Sequence, residues 1–138
     1  MLSRRLTAVA VAALAAAACG GSPNPLAVGD VIPRLEAAGI DCTETAEEKV
    51  QEGIAATAVT CALGDSGGIV TIVAESADEI TKAKAELCAQ IPNEQGNLEL
   101  AAGETWLSVT LSTVGVSAAQ VAEALGGEVA KIKDYCAG

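Results

Sequence analysis

Residues 69–90 read IVTIVAESADEITKAKAELCAQ and contain the two signals that decide the predicted fold. Residues 69–74 are apolar on both faces, which predicts a strand in the middle of a sheet. Ser76 and Glu79 have the spacing of a capping box, which predicts a helix that runs to about Gln90. The rest of the predicted fold is built outward from this central strand and the helix that follows it.

The flanking segments complete an α-β-β-β-α-β-α order. The predicted elements are a helix at 30–39, strands at 40–45, 57–63, 69–74 and 106–111, and helices at 76–90 and 117–136, the last one broken at 126–127. This order is typical of an α+β domain, here with a small antiparallel or mixed four-stranded sheet and helices packed on one face. An acidic loop is expected between the first two strands. Residues 93–104 stay ambiguous, and 98–100 could add a short strand.

Four cysteines lie in the predicted domain, which spans residues 26–138, and four cysteines allow three disulfide connectivities. Cys42 and Cys61 fall on the core-facing side of neighbouring predicted strands, so their sulfur atoms would lie close together. This placement favours a Cys42–Cys61 disulfide, which leaves Cys88 and Cys136 to join the middle helix to the C-terminal one. A zinc site is the alternative, but the chain has no Cys-x-x-Cys pair and no histidine. We therefore predict no metal site and no cofactor.

Two patterns suggest catalysis, and neither is complete. Residues 64–68 read GDSGG, the pentapeptide around the nucleophile of trypsin-like serine proteases, but that triad needs an imidazole and the chain has no histidine. The same letters between two strands are typical of a tight turn. A dyad of Ser76 with Lys82 or Lys84 would come from a helix cap and a solvated helix face, and the spacing does not support it. We predict no catalytic residue and assign no role to Ser66.

Acidic residues dominate the charge of the chain. If Arg4 and Arg5 leave with an export signal, eight basic residues minus two leaves six against 18 acidic ones, a formal net charge of −12. Such a domain repels phosphate backbones and anionic headgroups, so we expect no nucleic-acid partner. A cluster of glutamates falls in the expected acidic loop and could attract a cation or a basic partner, although its spacing is not that of a calcium loop. The cluster comprises Glu44, Glu47, Glu48 and Glu52.

Trp106 is the only tryptophan and begins the predicted strand at 106–111. Alternation along that strand puts Leu107, Val109 and Leu111 on the buried face and Trp106 on the other face. If the other face is open, Trp106 could anchor a ligand or partner. If helices cover both faces, Trp106 belongs to the core.

The first 18 residues have the three parts of an export signal: Arg4 and Arg5, an apolar run over 6–18, and small residues before a cut. This apolar run is too short to span a bilayer as a helix, which needs about 20 residues. Ser3 before the two arginines also suggests a twin-arginine signal, but the rest of that motif is missing, so the export route stays open. Residues 20–25, GGSPNP, are typical of a flexible tether.

Residues 14–22, LAAAACGGS, resemble the lipobox of bacterial lipoproteins. In that family the cysteine, here Cys19, is thioether-linked to diacylglycerol and becomes the first residue of the mature chain. The family prefers leucine three positions before the cysteine, where this chain has Ala16, so a cut after Ala18 that leaves Cys19 unmodified is the alternative. Setting Cys19 apart leaves an even number of cysteines for two disulfides, which favours lipidation.

The chain as a whole is similar to the small cell-envelope lipoproteins of high-GC Gram-positive bacteria, and the specific part of this resemblance is the signal and Cys19. The resemblance implies a lipid-anchored location on the extracytoplasmic face of the cell membrane, and much of that group has no assigned activity. The leading hypothesis is a non-enzymatic module that binds a protein or envelope ligand. The first alternative is a released, secreted inhibitor or effector. A hydrolase that works without histidine is the third hypothesis.

Overall fold

The structure is a computed structural model that describes residues 26–91, 98–112 and 115–137. Within these ranges the helices are α1 (Val31–Ala37), α2 (Ala77–Gln90), α3 (Ala118–Leu125) and α4 (Ile132–Ala137). The strands are β1 (Glu44–Gln51), β2 (Ile54–Ala62), β3 (Gly67–Ala74), β4 (Glu99–Ala102), β5 (Trp106–Ser112) and β6 (Glu128–Lys131). Single 3-10 turns lie at Val28–Asp30 and Gly64–Ser66.

The predicted unit of a central strand and its following helix is confirmed. Strand β3 lies between β2 and β5, and its β-branched side chains suit a strand that is covered on both sides. Helix α2 begins after Ser76, whose Oγ accepts a hydrogen bond of 3.3 Å from the backbone N–H of Glu79. Helix α3 begins with the reciprocal capping box that its sequence predicts, between Ser117 and Gln120.

The prediction of a four-stranded sheet is wrong, because the described residues form a six-stranded antiparallel sheet in the order β1-β2-β3-β5-β4-β6. The two additional strands, β4 and β6, are four residues each and pair with each other. Strand β6 was expected to be helical. Gly126 ends α3 in the left-handed conformation, at φ 84°, and this lets the chain turn back along β4. The possible short strand at 98–100 overlaps β4, and neither short segment has enough alternation to predict a strand firmly without knowing its partner.

The expected packing of helices on one face is also wrong. On one side of the sheet, the front face, α1 and α3 cover Val59, Ile69 and Trp106 in one apolar cluster. On the other side, the back face, α2 and α4 cover a second cluster that includes Ile72 and Leu107. A central strand that is apolar on both faces needs a cover on each, and the short helices α1 and α4 supply part of it.

The first strand does not lie at 40–45 as predicted. Strand β1 covers Glu44–Gln51, which was expected to be the acidic loop, and seven of its eight side chains are exposed. It forms one of the two edges of the sheet and pairs with β2 from Glu44 opposite Ala62 to Gln51 opposite Ile54. Backbone hydrogen bonds stabilise such an edge strand while its charged side chains stay in water and protect the edge from aggregation.

Both predicted disulfides are present, Cys42–Cys61 and Cys88–Cys136. The first ties the segment after α1 to β2 on the front face, and the second ties α2 to α4 on the back face. The bonded cysteines are 19 residues apart in the sequence in the first disulfide and 48 residues apart in the second. In the chain-entropy account these loops stabilise the fold by about 3 and about 4 kcal/mol. This contribution matters in a small domain with few aromatic side chains.

Candidate binding surface

Trp106 lies in the core and is 3% exposed. Its indole packs on the front face among residues of α1 and α3. The sequence left two alternatives for Trp106, an open face or a covered one, and in the structure helices cover both faces of the sheet. Gly103 and Gly127 lie directly against the ring, and a Cβ atom at either position would overlap it. A buried indole in this setting is not accessible to a partner.

The pentapeptide 64–68 forms the turn between β2 and β3. Gly64 and Gly67 have positive φ values of 67° and 116°, which glycine adopts without steric cost. The Leu63 N–H donates to the Gly67 carbonyl at 2.8 Å, and the Gly64 N–H donates to Oγ1 of Thr43 at 3.0 Å. The predicted turn is confirmed, and two of the three glycines of the protease-like motif have a backbone role.

The residues of the considered serine–lysine dyad are engaged elsewhere. Ser76 caps α2, and Nζ of Lys82 lies 2.9 Å from Oε2 of Glu79. Nζ of Lys84 lies 4.5 Å from the ring centroid of Tyr135. Burial raises the pKa of the Tyr135 hydroxyl above its usual value. These contacts stabilise the α2–α4 side of the domain and do not bring a serine to a lysine.

The glutamates of the expected acidic loop lie on β1 and just beyond it, and the strand sends them in two directions. Alternation puts Glu44 and Glu48 on the back face and Glu47 on the front face, while Glu52 is in the turn to β2. No group of three or more potential metal ligands occurs among residues 26–91, 98–112 and 115–137.

An apolar area on the back face was not anticipated from the sequence. The strand registers align two rows of side chains there: Ala46, Thr60, Val70 and Val109 form one row, and Glu44, Ala62, Gly68 and Leu111 form the next. We call these two rows the open strip. Leu111 is 62% exposed, and Val70, Val109 and Ala62 are partly exposed.

The open strip exists because helix α2 covers only one end of the back face. Its buried side chains Ile80 and Ala83 pack with Ala56, Ala74 and Leu107, which lie toward the other end of strands β2, β3 and β5. The contrast is sharpest along β5, where Leu107 is fully buried and Leu111, four residues later on the same face, is 62% exposed. The sequence puts both leucines on one face, and only the position of α2 makes them different.

Charge borders the open strip on its β1 side. Glu44 stands at the β1 end of one row of the strip. Glu48 lies opposite Ala58, in the first row outside the strip, next to the row that contains Ala46. The two carboxylates are exposed and lie about 13 Å apart along the strand. Lys82 and Glu79 form the one salt bridge that the described part of the chain contains, so neither Glu44 nor Glu48 is neutralised there by a lysine or arginine.

A concave area lies between α1 and α3, on the front-face side of the domain. This groove has a volume of about 390 Å³ and is lined by Arg34, Ala37, Ala38, Gln120, Glu123 and Ala124. The Arg34 guanidinium donates a long hydrogen bond of 3.5 Å to the Leu125 carbonyl. Arg34 and Glu123 are both exposed, so the groove lacks the enclosure that small-molecule sites use.

The sequence matches no protein-family model, no curated protein and no solved structure. Among the described helices, none has the length and apolar character needed to cross a membrane. The two disulfides indicate a protein that folds in an oxidising compartment outside the cytoplasm.

Proposed function

We propose that this protein is a non-enzymatic binding module of the bacterial cell envelope, held on the extracytoplasmic face of the membrane by a lipid on Cys19. The observation that carries the binding role is the open strip, where Leu111 is 62% exposed. Among the described residues this is the highest value of the exposed large apolar side chains, ahead of Leu98 at 51% and Val129 at 37%. Large exposed apolar patches rimmed by polar residues mark interaction sites, and the open strip is a small patch of this kind.

Cysteine arithmetic supports the anchor. The chain has five cysteines, and four of them are joined in two disulfides, so Cys19 is the one outside these bonds. A lipidated Cys19 would explain an odd cysteine count in a disulfide-bonded exported protein. An unmodified Cys19 would instead be a reactive thiol in an oxidising compartment.

The point at which the chain enters the domain is compatible with a free open strip in the anchored form. Leu26 is 6% exposed and packs in the front-face cluster, and the open strip lies on the back face. Residues 20–25 would reach about 20 Å when extended. The tether would therefore join the domain on its front-face side, opposite the open strip, and leave the strip accessible to a partner.

The anchor is tested by expressing the full chain and a Cys19→Ser variant in a high-GC Gram-positive host. We expect the wild-type protein in the membrane fraction and in the detergent phase, with an intact mass that includes a diacylglyceryl adduct on a chain beginning at Cys19. The Cys19→Ser protein should leave the membrane fraction. A Ser22→Ala variant is the matched control, because it changes a small residue of the tether and leaves Cys19 in place.

Alkylation before and after reduction separates the anchored protein from the released alternative. For the anchored protein, the domain cysteines should react only after reduction and Cys19 should not react at all. A wild-type chain found in the medium with a reactive Cys19 would contradict the anchor and favour a released inhibitor or effector.

A further inference from the structure

We infer that the open strip is a docking surface for a short cationic amphipathic segment of another polypeptide. The inference rests on the binding role proposed above and not on the lipid anchor. Its apolar part is formed by Val70, Val109, Ala62 and Leu111, and its charged border by Glu44 and Glu48 of β1.

The dimensions of the strip fit a segment and not a whole domain face. It spans four strands, about 14 Å at the usual strand spacing, and two side-chain rows, about 7 Å along the strands. Such an area is far below the roughly 800 Å² per partner that a stable protein–protein interface buries. A second copy of this chain would need much more contact than the strip offers.

Charge selects the kind of segment. The chain carries 18 acidic residues against eight basic ones, so a second copy or an anionic bilayer would be repelled as it approached the strip. Lys82 is bonded to Glu79, and Lys84 lies over Tyr135, so these two lysines are engaged with other groups. Lysine or arginine side chains from a partner could pair with Glu44 and Glu48 while apolar side chains of the same segment cover Leu111.

The test measures binding of a short fluorescent peptide of alternating lysine and leucine by anisotropy. The protein is the full chain as the host produces it, in nanodiscs of zwitterionic lipid if it is anchored and in buffer if it is released. Empty nanodiscs supply the baseline. We expect saturable binding that weakens by about tenfold or more between about 0.05 M and about 0.5 M NaCl, because screening removes the attraction to Glu44 and Glu48.

Two pairs of matched variants locate the binding. Leu111→Thr should weaken binding by about tenfold, whereas Val129→Thr, at an apolar residue 37% exposed on the front face, should change it by less than about twofold. Glu44→Lys/Glu48→Lys should abolish binding. The control double reversal, Glu36→Lys/Glu104→Lys, changes the net charge equally at exposed sites outside the strip and should retain most of the binding. Thermal unfolding of each variant verifies that it is folded.

Several outcomes would overturn the docking inference. One is that the lysine–leucine peptide does not bind. Another is that the strip variants and their controls weaken its binding equally, and a third is that a glutamate–leucine peptide binds as tightly as the lysine–leucine peptide. Dimerisation that depends on Leu111, or capture by anionic vesicles that depends on Leu111, would replace the segment with another occupant. Strip-dependent peptide binding by a released, unlipidated protein would contradict the anchor alone and leave the docking surface in place.

Discussion

The backbone N–H of Ala55, at the start of β2, donates a hydrogen bond of 2.8 Å to Oε1 of Glu79 in the first turn of α2. The sequence predicts that Glu79 would complete the capping box of its own helix. The fold instead uses this carboxylate to join α2 to the sheet, and its second oxygen pairs with Lys82. This contact anchors the helix whose position leaves the open strip uncovered.

The pH dependence of stability should report the Glu79 contact. The hydrogen bond from Ala55, followed by the one from Lys82, lowers the pKa of Glu79 from its usual value. A lowered pKa in the folded state stabilises the protein at neutral pH, and this stabilisation is lost as the pH falls through that pKa. Urea unfolding between about pH 6 and about pH 3 should show a shallower loss of stability for Glu79→Gln than for the wild type. Glu36→Gln, at an exposed site on α1, should follow the wild-type curve, and an identical slope for all three proteins would contradict the assignment.

The two glycines against Trp106 should not tolerate a side chain. A Cβ atom at Gly103 or Gly127 would overlap the indole, so alanine must displace the ring or the backbone. We expect Gly103→Ala and Gly127→Ala each to lower the free energy of unfolding by about 1–3 kcal/mol and to shift tryptophan emission to the red. Gly29→Ala is the control, because a Cβ there has no neighbour within 4 Å. Unchanged stability and emission in the first two variants would mean that Trp106 is not confined by these glycines.

A buried pair of hydroxyls gives a double-mutant test of the front face. Oγ1 of Thr71 and Oγ of Ser108 lie 2.9 Å apart, and both residues are almost fully buried. Thr71→Val should cost about 1–3 kcal/mol because it leaves the Ser108 hydroxyl without its partner. Adding Ser108→Ala should cost less than the sum of the two single changes. Thr110→Val should be neutral or stabilising, since Oγ1 of Thr110 is buried with no hydrogen-bond partner among the described residues. Strict additivity in chemical denaturation would argue against the pair.

The two disulfides should differ in their resistance to reduction. Cys61 is 1% exposed in the front-face core and its partner Cys42 is partly exposed, whereas Cys88 and Cys136 are both partly exposed between α2 and α4. A mild reductant should therefore open Cys88–Cys136 first, because a thiolate can approach both residues of that bond but only Cys42 of the other. Alkylation followed by peptide mass mapping over time gives the order. Removal of Cys88 and Cys136 by alanine should abolish the early phase, and removal of Cys42 and Cys61 should preserve it.

The sequence by itself determined the features that depend on neighbouring residues or on composition. The capping signals of α2 and α3 each span only four consecutive residues. Each signal predicted the start of its helix, because the hydrogen bonds involved are local. The central strand was recognisable because its own side chains are apolar on both faces. The placement of Cys42 and Cys61 on neighbouring predicted strands led to the correct disulfide pairing.

The tertiary structure alone decided the edges of the sheet and the exposure of its faces. Strands β1, β4 and β6 have weak or absent side-chain patterns, since backbone hydrogen bonds to strands that are distant in sequence make them strands. The exposure of both Trp106 and Leu111 depends on helix cover, which buries the first and leaves the second in solvent. Alternation puts them on opposite faces of β5, but exposure is set by which part of each face a helix covers. Helices α1 and α3 bury Trp106, whereas α2 stops short of Leu111. The burial of a side chain therefore depends on contacts between elements and not on the position of the residue in the sequence.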